Sequence, residues 1–275
     1  MIEPPVHPSL LAIDTKGNEM ALLQVDNMTH HFGGLRAVHN YSLAIEPGQL
    51  RGLIGPNGAG KTTIFNLITG RYTPTEGDIS LEGTSLIGMK PHEIASLGLS
   101  RTFQNLRLWR HMTVLEHVKM ARYSKLSYGL TGAFFSTRKR RDEEEDTAKE
   151  ALRLLRRVGA DQYADQVVTN LPYGAQRRVE LARALAVEPK VLFLDEPTAG
   201  MNPEELRQIM EIIRSIHADF GFAIFLIEHR MRFVMELCEI IQTLDFGEVI
   251  AEGTPDEIRN DERVIDAYLG KDIEI

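Results

Sequence analysis

At 275 residues the chain suits one α/β domain with a sizeable insertion. Its residues are 43% apolar and 25% charged, an ordinary globular balance, and a net charge of −8 gives no support to nucleic-acid binding. The single cysteine, Cys238, excludes an internal disulfide framework and fits a reducing compartment. Apolar runs such as Phe222 to Ile227 fall far short of a membrane span. Met1-Ile2-Glu3-Pro4-Pro5 has neither the basic start nor the apolar stretch of a secretory leader. If the protein works at a membrane, it is expected to do so from the cytosolic side, through a partner.

Residues 1–20 read as a flexible N-terminal extension. Ala21 to Met28 is expected as a strand, His30-His31-Phe32-Gly33-Gly34 as a break, and Ala37 to Ile45 as a second extended stretch. Pro47-Gly48 turns into a short apolar strand, Leu50 to Ile54. The next stretch organises the rest: Gly55-Pro56-Asn57-Gly58-Ala59-Gly60-Lys61-Thr62-Thr63 fits the phosphate-binding P-loop pattern. Its glycines let the backbone curl until several N–H groups share one concavity, which suits the oxygens of a triphosphate. Lys61 brings a mobile positive charge to the β- and γ-phosphates, and the Thr62 hydroxyl can ligate Mg²⁺. A helix is expected from about Lys61, its positive end toward the phosphates and its apolar face made by Ile64, Phe65, Leu67 and Ile68. Thr73 to Gly83 then reads as a strand bounded by turns.

From about residue 91 to 175 the pattern becomes helical, at His92 to Leu97 and again at Thr113 to Arg122, with an irregular Tyr123 to Phe135 following. The charged block from Arg138 to Asp146 reads as a solvated helix face. Ala148, Ala151, Leu152, Leu155 and Val158 recur at helical spacing until Gly159. Beyond that the chain alternates: a strand at Val191 to Leu194, a helix at Pro203 to Phe220 and a strand at Phe222 to Ile227. A helix from about His229 to Cys238 comes next, then a hairpin of Ile240 to Leu244 with Glu248 to Ala251. Thr254-Pro255-Asp256-Glu257 opens a last helix as a capping box.

Four apolar residues, Val191 to Leu194, end in Asp195-Glu196. A buried strand would deliver Asp195 rigidly to a Mg²⁺ shell, and Glu196, one residue on, could polarise an attacking water. Together with the P-loop this pattern resembles the ATP-binding subunits of ABC transporters, from about Ala21 to Gly270. Phe32 lies where that family places an adenine-stacking aromatic. Gln104, in Arg101-Thr102-Phe103-Gln104-Asn105, is similar to its Q-loop glutamine, and Leu171-Pro172-Tyr173-Gly174-Ala175-Gln176-Arg177-Arg178 stands at its signature motif. Ala199-Gly200-Met201-Asn202 resembles the D-loop and His229 the switch histidine. Phe32-Gly33-Gly34-Leu35, Thr102 to Asn105, Ile227-Glu228-His229, Ala251 to Pro255 and Ala267-Tyr268-Leu269-Gly270 resemble one branch, the branched-chain amino acid importer ATPases.

The resemblance implies an α/β fold: a P-loop NTPase core with an antiparallel β subdomain and an inserted α-helical subdomain at about 91–175, within an ABC ATPase domain of residues 21–270, followed by a tail at 271–275. It implies an ATPase with ATP and Mg²⁺ as cofactors. The implied nucleotide site is Phe32, residues 55–63, Gln104, Tyr173, Gly174 and Asp195; Thr62, Gln104 and Asp195 would face the metal, and Lys61, Gln104, Glu196 and His229 the chemistry. Implied partners are transmembrane permease subunits, a sister ATPase subunit in a heterodimer and, indirectly, an extracytoplasmic solute-binding protein, with the chain peripheral at the cytoplasmic face of the inner membrane. Arg107, Leu108, Trp109 and Arg110 are candidates for the permease contact, although Trp109 could equally pack into the helical lobe. Urea uptake, lipopolysaccharide export and a soluble non-transport ABC ATPase are the alternative readings. Departures from the usual Leu-Ser-Gly-Gly-Gln signature stand at Pro172, Tyr173 and Ala175; Asn202 replaces the usual Asp, and Arg230 stands where the branch often has Asp.

Overall fold

The structure, a computed structural model, describes residues 21–104, 106, 108–123 and 138–269. Strands β3 (Leu50–Ile54), β6 (Leu99–Arg101), β7 (Val191–Asp195), β8 (Ala223–Ile227), β9 (Ile240–Asp245) and β10 (Glu248–Gly253) form a central sheet. Their order is β10-β9-β3-β8-β7-β6, parallel throughout except for β10. The β9–β10 reversal uses Phe246 and Gly247, both at positive φ (45° and 83°), as a two-residue hairpin requires when its twist matches the strands. A second, antiparallel sheet contains β1 (Leu23–Phe32), β2 (Leu35–Ile45), β4 (Glu76–Leu81) and β5 (Thr84–Ser85), in the order β2-β1-β4-β5.

Strand alternation divides the interior into two cores. Val191 and Phe193 of β7 and Ala223, Phe225 and Ile227 of β8 face helix α1 (Lys61–Ile68) and the antiparallel sheet. There the rings of Phe65, Phe193 and Phe225 lie 4.7 to 5.3 Å apart. Leu192, Leu194, Ile224 and Leu226 point the other way, into the second core. That core receives Ile209, Ile213 and Ile216, and it is continuous with Val114, Val118, Ala151, Leu155, Val158 and Val179 from the helical region. Each large side chain buried this way contributes about 1.5–3 kcal/mol. The helices beyond α1 are α2 (Pro91–Leu97), α3 (Val114–Arg122), α4 (Arg138–Arg157), α5 (Tyr173–Leu185), α6 (Pro203–Phe220), α7 (Met231–Leu237), α8 (Pro255–Asn260) and α9 (Glu262–Leu269).

Several elements differ from the sequence expectation. The first strand does not break at His30 but runs to Phe32, and only Gly33-Gly34 turns. Register shifts between Val25 and His31 absorb the irregular polarity, so alternation is lost while pairing continues. Within the stretch expected to be helical, β6 pairs in parallel with β7 in the central sheet. Gly98, at φ 113°, ends α2 and turns the chain beside Lys190, and a three-residue strand is too short to show periodicity. The helix after Pro172 begins at Tyr173, and the one expected from about His229 begins at Met231. The expected irregular segment from Tyr123 to Phe135 and the extension at 1–20 lie outside the described residues, apart from Tyr123 itself.

Gly52 sets how closely β3 approaches α7. A Cβ there would stand 2.8 Å from Val234 Cγ1 and 3.1 Å from Cys238 Sγ. Burial also pushes the Cys238 thiol well above its ordinary pKa. Gly52→Ala is expected to destabilise the fold by about 1–3 kcal/mol through overpacking. Val234→Ala in the same chain should recover part of that loss relative to the sum of the single variants, read from denaturant midpoints. A neutral Gly52→Ala, or strictly additive variants, would contradict this packing account.

Candidate functional site

Parallel register brings several strand ends to one edge of the central sheet. Ile227 pairs with both Asp195 and Leu53, and Ile54 pairs with Thr243. The segments leaving β3, β7 and β8 therefore emerge side by side, carrying residues 55–63, Glu196 and Glu228-His229. This carboxyl edge is where open α/β sheets hold ligands.

The loop after β3 has a shape that only glycine permits. Gly55 and Gly60 have φ 147° and 107°. A Cβ on Gly55 would sit 2.1 Å from the Leu244 carbonyl oxygen, and one on Gly60 2.7 Å from that of Ala37. Gly58, by contrast, has nothing within 4 Å of its Cβ direction, and Asn57 beside it is exposed. The Gly247 N–H donates to Ala59 O at 2.8 Å, pinning the loop to the β9–β10 hairpin. Helix α1 starts at Lys61, with no side-chain cap and no acidic residue in its first turn. Its first N–H groups and the positive end of its dipole are thus left for an anion. Thr62 is exposed on that turn, with Thr63 half-buried behind it. Lys61 Nζ donates to Gly55 O at 2.6 Å and Pro56 O at 2.9 Å. Burial lowers its pKa, and the carboxylates of Glu196 and Asp195 oppose that shift.

Asp195 ends β7 almost fully buried, its Oδ2 2.6 Å from Arg101 Nη2. Arg101 reaches it from β6 and also donates to Asn66 Oδ1 at 2.8 Å and Thr69 Oγ1 at 3.2 Å. Glu196 adopts φ 46°, a left-handed backbone rarely taken by a non-glycine residue and often found where function fixes geometry. Its Oε2 accepts a hydrogen bond from Gln104 Nε2 at 2.8 Å and lies 3.9 Å from His229 Nδ1. Side chains that follow three different strands therefore meet at one carboxylate.

Other expected site residues have partners of their own. Phe32 is packed edge-on against His30 (4.6 Å) and Tyr72 (5.3 Å), the latter just beyond α1, and is partly exposed. Contacts of Tyr173 and Gly174 run to Gly200, Glu205 and Arg177, not to the chain's own residues 55–63. Asn202 caps α6: its Oδ1 accepts from the N–H groups of Glu204 (2.9 Å) and Glu205 (3.0 Å). Trp109 is half exposed, and one side of its ring borders His117 and Arg183. His117 Nε2 accepts the Trp109 N–H at 2.8 Å while Nδ1 donates to Thr113 O, an assigned neutral tautomer that burial favours by lowering the imidazole pKa. Arg107 lies outside the described residues.

Sequence reasoning passed over Arg101, Glu228 and the pair Arg177–Glu180. Glu228 is fully buried, yet it accepts the N–H groups of Thr198 (3.1 Å), His229 (2.9 Å) and Arg230 (3.1 Å), and the Thr198 hydroxyl. It fixes the turn into His229 and the segment after Glu196 with one carboxylate. A charge at the end of an apolar run was the signal available; its burial was not.

A Gly-rich anion loop on α1, a buried acidic strand end and a Gln–Glu–His cluster on one sheet edge define an ATP-binding cassette. The chain belongs to the ABC transporter family, whose model matches residues 38–199; ATP hydrolysis coupled to transport is the activity of that class. Residues 248–274 also match the branched-chain amino acid ATP-binding cassette transporter family. The high-affinity branched-chain amino acid transport ATP-binding protein LivG of Salmonella typhimurium is 43% identical over 250 residues, which cover 91% of this chain and 98% of LivG. A solved ATP-binding cassette of an ABC transporter in its ADP conformation superposes with TM-score 0.79 at 28% identity, over 92% of this chain and 100% of that one. A dimeric bacterial ABC transporter cassette gives 0.73 at 25% identity, over 85% of this chain and 98% of that one. Among the described residues no helix is long and apolar enough to cross a membrane.

Glu228→Ala would strand several buried donors and is expected to lower stability by about 3 kcal/mol or more. Glu228→Gln, which keeps the shape but turns an amide N–H₂ toward donors, should lose less. Equilibrium denaturation reads both; an alanine variant within about 0.5 kcal/mol of the parent would contradict the bridging role.

Proposed function

We propose that this chain binds Mg-ATP along residues 55–63 and hydrolyses it to drive an importer of branched-chain amino acids. The observation that carries the reading is the convergence of Gln104 and His229 on Glu196, beside the Gly-rich loop. The β- and γ-phosphates fit the N–H groups opening α1, with Lys61 exchanging its two loop carbonyls for phosphate oxygens. Phe32, on the ring cluster beside Tyr72, would stack on the adenine. Thr62, Asp195 and Gln104 offer a hydroxyl, a carboxylate and an amide oxygen, a hard donor set that suits Mg²⁺. Bound there, Mg²⁺ would neutralise charge on the transferred phosphoryl group.

Glu196 is the general base: its carboxylate accepts the proton of the attacking water. Gln104 gives Nε2 to Glu196, and its Oε1 would be the amide oxygen offered to the cation. His229, 3.9 Å from Glu196 and held by Glu228, is placed for the γ-phosphate. The buried Arg101–Asp195 pair keeps the acidic strand end at one position before nucleotide arrives.

Pairing of two such chains would place the turn at residues 172–174 on the partner's nucleotide. Pro172 offers neither a hydroxyl nor an N–H there, and it precedes the N-terminus of α5, where the N–H groups of Tyr173 and Gly174 remain. A homodimer would carry this deficit at both sites and a heterodimer at one, which favours a sister ATPase subunit. Leu108, Trp109 and Arg110, just beyond Gln104, are the proposed contact with the permease subunits at the cytoplasmic face of the membrane; an extracytoplasmic binding protein would supply the solute.

Glu196→Gln tests the reading. Turnover is expected to fall by about 10²- to 10⁴-fold while ATP affinity stays near that of the parent. Single-turnover hydrolysis and equilibrium nucleotide binding on the same preparation measure both, and near-normal hydrolysis would remove Glu196 from the base role.

A further inference from the structure

Arg177 is 4% exposed, and every N–H of its guanidinium meets an acceptor. Nε and Nη2 donate to the Tyr173 hydroxyl at 3.1 and 2.8 Å. Nη1 donates to Phe103 O at 2.7 Å and to Glu180 Oε2 at 3.0 Å, and Nη2 donates also to Gln104 O. Glu180 Oε1 in turn accepts the Phe103 N–H at 3.3 Å. One Arg–Glu pair on α5 thus grips the backbone of Phe103-Gln104 by both its N–H and its carbonyl oxygens. The Gln104 side chain reaches Glu196 from that same backbone.

At the other end of the fork, Tyr173 is the first residue of α5 and is 41% exposed. Its ring borders Gly200, where a Cβ would come within 3.2 Å of Tyr173 Cε1. At the next residue, Gly174, the Glu205 carboxylate packs closely, its Oε1 2.6 Å from where a Cβ would stand. The turn at residues 172–174 is therefore wedged between the segment after Glu196 and the Arg177 fork. Its tyrosine hydroxyl oxygen accepts two hydrogen bonds from Arg177 of the same chain.

We infer that Tyr173 and Arg177 are positioning residues that carry contacts made at the 172–174 turn to Gln104, and so set the hydrogen bond Gln104 gives to Glu196. The inference rests on the reading of Gln104 and Glu196 as parts of the hydrolytic site. A guanidinium is a rigid plane and its Nη2 serves both the Tyr173 hydroxyl and the Gln104 carbonyl, so a displacement of the tyrosine moves the group that holds that carbonyl. Lysine, a point charge with three donors, cannot span the same acceptors. A neighbouring chain that presses on the turn would thereby act on this chain's own Glu196, and pairing of two chains would be felt at both sites.

The test is a double-mutant cycle in the assembled transporter with Tyr173→Phe and Gln104→Ala. Tyr173→Phe keeps the ring beside Gly200 and removes the oxygen that two guanidinium N–H groups use. It should slow turnover at saturating ATP about tenfold, with ATP affinity unchanged within about twofold. In the Gln104→Ala background the same change should have no further effect, since the relay would already be cut. Arg177→Lys, measured in parallel, should match or exceed the Tyr173→Phe loss. Turnover of Tyr173→Phe within about twofold of the parent, or full additivity with Gln104→Ala, overturns the relay while leaving the hydrolytic reading intact. If Gln104→Ala alone turns over normally, the reading of the site fails and the relay with it.

Discussion

Everything in this site depends on the register of a parallel sheet. Because Ile227 lies opposite both Asp195 and Leu53, the chain leaves β3, β7 and β8 at the same level. No loop then has to travel far to meet its neighbours. The anion loop can be short, Glu196 can sit one residue past its strand, and His229 two residues past its own. A one-residue slip of β7 would reverse its faces, bringing Phe193 out of the ring cluster with Phe65 and Phe225. The two apolar cores therefore enforce the register, and the register places the polar groups.

Buried ionic groups at this edge hold loops and do not supply net stability. Taking a carboxylate out of water costs several kcal/mol, which only complete hydrogen bonding offsets. Glu228 meets that condition with four donors and Glu180 with Arg177 and the Phe103 N–H, while Asp195 is paired through Oδ2 with Arg101. Burial still raises the Glu180 pKa, against the pull of Arg177 and Arg183. Each of these carboxylates joins segments distant in sequence: residues 198 and 228–230, residues 101 and 195, residues 103 and 180. Loop positions at the site are thereby fixed by interior chemistry, and Glu196 and His229 follow closely on strands held in this way.

The local part of this arrangement was legible in the sequence. The P-loop, the apolar strand ending at Asp195-Glu196 and the Asn202 capping box are contiguous patterns, and their physics needs no partner from elsewhere. What was not legible is contact between distant segments. Arg101 is only one member of the Gln104 stretch until β6 places it beside Asp195, and β6 itself is three residues long. Glu228 gives no sign that it will be fully buried. Tyr173 reads as a departure from a motif and, by resemblance, as part of the nucleotide site; that its hydroxyl completes the Arg177 fork is not in the sequence. The bulges that carry β1 through His30 to Phe32 likewise depend on pairing with β2 and β4.

The central claim is that the loop after β3 is the triphosphate site and that Lys61 serves it. Equilibrium binding of Mg-ATP to the purified chain, compared with Lys61→Ala, addresses that claim without requiring partners or turnover. The account predicts saturable binding of one nucleotide per chain, weakened at least about tenfold by the substitution, since a hydrogen bond to a charged group contributes about 1.5–3 kcal/mol. Equal affinity in the two proteins would contradict it.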